Sequence, residues 1–182
     1  MKPYSDNDII DLMATRIESA MTQSGWKYPV IQLNQPTQQG APSEPAVFFQ
    51  KIGDKFYGSP ARRLDYDANL DIYNDNEIQI CESTFQITSL VIQHPGNTDI
   101  PTASDVINYT KMYLQHAASI RYFKNLEIGM LRILNATNYY FTDDKSRFEA
   151  NPAIELTLRY SRVMTMTVGA VHMVIDSGEY PV

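Results

Sequence analysis

The chain has 182 residues, 43% apolar and 20% charged, with a net charge of −6. That length allows a core of ordinary size and that composition excludes a disordered polymer, so one domain over residues 1–182 is expected. The negative balance argues against gripping phosphate backbones, no apolar run nears the roughly 18–20 residues of a membrane span, and Cys81, the single cysteine, excludes an intrachain disulfide or thiolate cluster.

The opening MKPYSDNDII lacks a signal-peptide hydrophobic stretch, which predicts residence in a cytoplasm. Ser5 and Asp8 form a capping pair, and Ile9, Leu12, Met13, Ile17, Ala20 and Met21 recur at helical spacing until Gly25. A short strand follows in YPVIQLN. Residues 36–45, with Pro36, Pro42, Pro45 and Gly40, predict a surface loop or arm. AVFFQKI and KFYG flank Gly53-Asp54 and predict a hairpin there, followed by a polar, irregular SPARRLDYDANLDIYNDNE with room for one short strand. EIQICESTFQITSLVIQ is a long strand whose apolar phase slips from Ile78 and Ile80 to Phe85 and Ile87, then back to Leu90 and Ile92, which predicts a bulge. After Pro95-Gly96 a second helix opens on Thr102 and Asp105. Its expected buried face is Val106, Tyr109, Met112, Tyr113, His116, Ala117 and Ile120. LEIGMLRIL is a strand, a tyrosine-rich turn follows, and a long ribbon closes the chain. The layout is α+β, a mostly antiparallel twisted β-sheet with two packed helices and a long C-terminal β-ribbon.

In that ribbon, NPAIELTLRYSRVMTMTVGAVHMVID, Ile154, Leu156, Leu158 and Tyr160 face one way and Glu155, Thr157, Arg159 and Ser161 the other. Beyond Arg162 the polar face turns apolar, with Val163, Val171, Met173 and Ile175. A straight strand over 154–174 would run about 70 Å, against an expected radius of gyration of about 16 Å. It must bend, pair back on itself or leave the domain, with Gly169 the natural kink. The expectation is two strands, the first completing the subunit's own sheet and the second, 163–176, shared with a neighbour.

Nothing nominates an active site. Asp65, Asp67, Asp71, Asp75 and Glu77 imitate a calcium loop, with Asp65, Asp67 and Asn69 at its first, third and fifth positions. Leu70 stands where glycine is needed and Asn76 where a bidentate Glu should close the shell, so a solvated acidic loop is the better reading. His94, His116 and His172 fall in no metal-binding frame, and His116 and His172 read as structural imidazoles. There is no GxSxG elbow and no glycine-rich phosphate loop. No catalytic, cofactor-binding or metal-ligating residue is therefore expected. Arg62-Arg63 reads either as a pair forming local salt bridges or as an electrostatic plug into a neighbouring subunit. Tyr139, Tyr140 and Phe141 suit a core and an interface equally.

The order of elements resembles the tail (neck) terminator proteins of tailed bacteriophages. In SRFEANPAIELTLRYSRVMTMTVGAVHMVID, Arg159-Tyr160 and Val168-Gly169 hold the places of that family's closing pattern, and CESTFQITSLVIQ, a helix and EIGMLRIL match its middle section. The Pro-rich 36–45 matches no family feature. The resemblance implies a non-enzymatic homo-oligomer, typically a hexameric ring, in the virion neck at the head-tail junction. Such a ring, assembled in the host cytoplasm, caps the tail tube, contacts the head-tail connector and sheath, and passes genomic DNA without binding it specifically. Head-to-tail rings need spare apolar surface and open strand edges, and an acidic wall, here Asp65 to Glu77, suits a DNA conduit. The alternatives are a connector or head-completion adaptor of the neck, a small calcium- or metal-dependent protein built on residues 65–77, and a monomeric β-rich binding module.

Overall fold

A computed structural model describes residues 3–33, 45–91, 96–142 and 148–169. Helix α1 (Asp6–Ser24) begins on the Ser5/Asp8 capping box and ends at Gly25, whose φ of 79° only glycine adopts freely. It buries Ile9, Met13, Ile17, Ala20 and Met21. β1 (Val30–Gln32) runs parallel to the start of β2 (Ala46–Asp67), and β2 pairs antiparallel with β3 (Ile72–Leu90). Helices α2 (Ala103–Gln115) and α3 (Ala117–Asn125) follow, then β4 (Gly129–Ile133), β5 (Thr137–Thr142) and β6 (Phe148–Gly169). The sheet runs β1-β2-β3-β6-β4, with β5 also paired to β6, so it is mixed but mostly antiparallel, as the α+β reading required. The helices lie against one face. Phe49, Phe85, Ile87, Ile154, Leu156, Leu158 and Tyr160 meet α1 and α2 there in one core.

Several local expectations are corrected. Gly53-Asp54 is not a hairpin turn. Gly53 lacks the left-handed φ that a tight turn needs, and β2 continues through it with a register shift between Lys51 and Gly53. A second shift between Tyr57 and Ala61 takes up Gly58, Ser59 and Pro60. The supposedly irregular residues 59–77 are the far end of a long β2-β3 hairpin. Its true turn is 68–71, where Asp71 has φ 52° and the Asn69 N–H donates to the Asp67 carboxylate at 2.9 Å.

β3 shows no phase slip. Cys81, Ser83, Phe85, Ile87 and Ser89 are buried in unbroken alternation, and β3 pairs with β6 continuously from Ile72 to Thr88. Two buried serines disguised the phase: Ser83 bonds to Tyr160 and Ser89 donates to the Ala103 carbonyl at 2.8 Å. The second helical stretch is two helices, broken at His116. That residue is an exposed cap, not a buried imidazole; its Nδ1 accepts the Ala118 N–H at 3.2 Å. α2 buries Ala103, Val106, Ile107, Thr110 and Leu114, so the expected stripe was one ridge off, and Met112 and Ile120 are exposed. Thr110 faces inward at little cost because its hydroxyl donates to the Val106 carbonyl at 2.8 Å. The ribbon is one strand up to Gly169, and it leaves the domain body instead of bending at Arg162. The Pro-rich arm, His94, His172, Val171, Met173 and Ile175 lie outside the described residues.

Candidate assembly interface: a three-stranded blade

Strands β1, β4 and β5 cover the sheet only near its base. β1 reaches residues 47–49 of β2, β5 reaches 148–153 of β6 and β4 reaches 156–159. Beyond Tyr57, Ile80 and Ser161 the sheet is reduced to β2, β3 and β6, a blade of about 25–30 Å. Register and alternation define its two faces. Tyr160, buried against the helices, continues through Arg162 to Met164, Met166 and Val168, which pair with Glu77, Asp75 and Tyr73 of β3. Leu64 and Tyr66 stand across from Asp75 and Tyr73 on the same face. The core face of the sheet thus runs on past the helices, uncovered. Leu64 is 64% exposed, Met164 and Met166 58% each, and Tyr66 53%. Tyr66 and Tyr73 stack at 5.0 Å, and the Tyr66 hydroxyl donates to Asp71 at 2.8 Å, which raises its ionisation above the ordinary tyrosine value.

The opposite face is polar at the same level. Asn76 donates to Asp65 at 3.0 Å and accepts from Thr165 at 2.6 Å, and Arg63 bridges to Asp65 at 2.7 Å. Between Val163 and Gly169 the ribbon is therefore apolar on one face; Val171, Met173 and Ile175, which carry the expectation of a second apolar face, lie outside the described residues. On Val163's side the ribbon continues with Thr165 and Thr167, and Ile78 and the exposed Ile80 share that face at the root, while Met164, Met166 and Val168 continue the home face.

The two outer strands of the blade differ. Residues 61–67 of β2 carry Arg62, Arg63, Asp65 and Asp67, charges that discourage pairing with another chain. Residues 163–169 of β6 carry no charge at all. Neither edge has a further strand partner among the described residues. The β6 edge is the one open to strand addition.

A polar chain fixes the root of the blade to the helical layer. Asp6, in the first turn of α1, pairs with Arg162 and, at 2.8 Å, with Lys51. Lys51 also holds Asp54 at 2.7 Å, Asp54 accepts from Ser83, and Ser83 meets the Tyr160 hydroxyl at 2.9 Å. Burial pushes the Tyr160 phenol well above its usual range and raises the Cys81 thiol too, so Cys81 is an inert core residue.

Arg62 bridges to Glu77 at 3.0 Å and Asp75 at 3.5 Å, and Arg63 to Asp65, so both arginines make local pairs on the blade. The acidic residues do not form a loop. Asp65 and Asp67 end β2, Asp71 sits in the turn, and Asp75 and Glu77 lie on β3 with side chains on the opposite face from Asp65. That splits the would-be calcium ligands, and no cluster of three metal-ligating groups occurs among the described residues. Val163 is half-buried on the blade. Tyr139, Tyr140 and Phe141 lie on the β5 backbone, with their side chains outside what is described. Sequence reasoning missed Leu64, Tyr66, Met164, Met166 and Val168. Their signal was the even-numbered alternation continuing beyond Tyr160. No described helix is long and apolar enough to cross a membrane.

Among solved structures, the fold is similar to the sheath/tube terminator of an extracellular contractile injection system, PVC, in its extended state. The TM-score is 0.53 at 13% identity, over 100% of this chain and 66% of that one, so this chain spans just under two thirds of the neighbour's length. No curated protein matches in sequence. The model of the E217 gateway protein gp29 family matches residues 8–170, from the first turn of α1 through the end of the blade. The chain belongs to the family of the E217 gateway protein gp29, a phage head-tail gateway group, which bears out the resemblance to tail terminators.

Proposed function

We propose that the chain is a non-enzymatic structural protein of the virion neck, a single terminator-like domain that assembles into a closed ring, hexameric by family resemblance. The ring ends the tail tube, meets the sheath beneath and the head-tail connector above, and passes genomic DNA without sequence-specific contact. The observation that carries this reading is the blade: a face left uncovered whose outer strands present Leu64, Tyr66, Met164 and Met166 to solvent around the Arg62–Asp75–Glu77 pairs, beside an uncharged strand edge. A monomer hides such surface, and a head-to-tail ring consumes it. Membership of the gateway family and the fold likeness to a sheath/tube terminator support the same reading. In it, Val163 and the residues up to 176 belong to the subunit interface, Arg62 and Arg63 brace the blade at that contact, and the acidic residues 65–77 face the lumen.

Native mass spectrometry and negative-stain imaging of the purified protein, with and without tail tubes, test it. Rings, free or on tube ends, are the expected result. A strict monomer that never associates with tube ends refutes it.

A further inference from the structure

From Val163 to Ile175 the chain contains no Asp, Glu, Lys or Arg, and Arg162 and Asp176 bound the stretch. The fold pairs only its first half, and only on one side. Residues 163–169 pair with β3, from Ile78 back to Ile72. On their other side β4 reaches no further than Arg159 and β5 no further than Ala153, so this edge has no strand partner among the described residues. A row of open backbone N–H and C=O groups on uncharged residues accepts a further strand.

The second half has the character of a donor. Gly169 pairs with Ile72, the first residue of β3, and the residue before it, Asp71, lies in the turn at φ 52°. β3 therefore has nothing left to pair with residues beyond 169. Ala170, Val171, His172, Met173, Val174 and Ile175 come next, free of proline, glycine and formal charge and suited to a strand. At about 3.3 Å per residue these six residues span about 20 Å, close to the length of the open edge. Their own edge is out of reach. A tight return needs left-handed backbone at the turn, but Gly169 is still an extended, paired residue of β6, and 170–175 contains no Gly, Asn or Asp. The first turn-forming run is Asp176-Ser177-Gly178, and Glu179 to Val182 beyond it are too few to return past 170 to the open edge.

Resting on the ring reading above, we infer that residues 170–175 of one copy add as a strand to the open β6 edge, residues 163–169, of the next copy. Donor and acceptor are unlike, so the contact is head-to-tail and repeats around an axis. The register that matches the apolar triplets sets Val171, Met173 and Ile175 beside Met164, Met166 and Val168 and widens the apolar face of the blade by one strand. Met173 meets Met166 at the centre of that register in either strand direction.

The test is disulfide trapping of the full chain under mild oxidation in the presence of tail tubes. The buried, weakly ionising Cys81 gives little background. A mixture of Met166→Cys and Met173→Cys proteins yields linked dimers, and the double variant yields a ladder whose top rung matches the ring mass. Met173→Pro, which removes a strand N–H, lowers ring yield roughly tenfold at an unchanged Tm, whereas Met173→Leu assembles like the parent. Benzophenone-maleimide on Met173→Cys labels a second copy of the chain. Rings that form normally with Met173→Pro and never link 166 to 173 overturn the inference and leave the ring reading intact. A double variant that closes on itself as a monomer does the same, as does benzophenone labelling of tail-tube protein alone. No ring under any condition removes both.

Discussion

Replacing Met164 and Met166 with serine separates folding from assembly. Each methionine is 58% exposed, so the fold itself draws only the smaller part of the roughly 1.5–3 kcal/mol that full burial of such a side chain is worth. The remainder, about 1–2 kcal/mol per side chain, becomes available when a neighbour covers the face. The double variant should therefore weaken each subunit contact by about 2–4 kcal/mol, roughly 30- to 900-fold in the association constant. A closed ring repeats that loss at every contact. Monomer stability should fall by less, about 1–2 kcal/mol for the pair on the same bookkeeping. Leu156→Ala, on the same strand but fully buried, is the internal control. It should cost about 2–5 kcal/mol and lower Tm by several degrees. Thermal melts and sedimentation velocity with tail tubes read both quantities. If the double methionine variant melts as low as Leu156→Ala, the face is packed within the monomer. If it assembles like the parent, the face is no interface. Either result breaks the argument.

Stability should hold up to about pH 10 and decline above it. Burial raises the phenols of Tyr160, Tyr4 and Tyr28 in the folded state, so the unfolded chain ionises first and gains stability as pH climbs past the ordinary tyrosine value. Tyr160→Phe should lose about 1 kcal/mol at neutral pH with its bond to Ser83, and flatten the alkaline decline of Tm between pH 9 and 11.5; an unchanged slope would mean Tyr160 ionises freely. Calorimetry with calcium should give no micromolar binding sensitive to Asp65→Ala or Asp67→Ala, because β-alternation sends Asp65 and Asp75 to opposite faces; tight, aspartate-dependent heat would show that the hairpin end rearranges around the ion.

How far the fold was legible depends on whether the local signals agreed. For α1 they did: cap, stripe and left-handed Gly25 all specify one helix, and the structure follows. Along β2 they conflicted. Gly53, Gly58 and Pro60 read as breakers, yet a long antiparallel pair absorbs them as register shifts, with Gln79 donating to the Gly58 carbonyl at 3.1 Å. Buried hydroxyls hid the pattern elsewhere. Ser83, Ser89, Thr110 and Ser119 count as polar in any periodicity, but each has a dedicated partner that makes burial inexpensive.

The blade was illegible for a different reason. Alternation specifies which residues share a face and is silent on whether anything covers it. Leu158 and Met166 look equivalent in sequence; one lies beneath the helices and the other beyond their reach. What the three-dimensional arrangement adds is an asymmetry. β2 meets solvent with Arg62, Arg63, Asp65 and Asp67, Arg62 pairing with Glu77 of β3 and Arg63 with Asp65 of its own strand, so that edge is guarded. β6 meets solvent with threonine, methionine and valine, carrying no charge from Val163 to Gly169. A protein selected to stay monomeric would guard both edges. One guarded edge and one open edge give an interface a direction, and a directional contact repeated around an axis is what closes a ring.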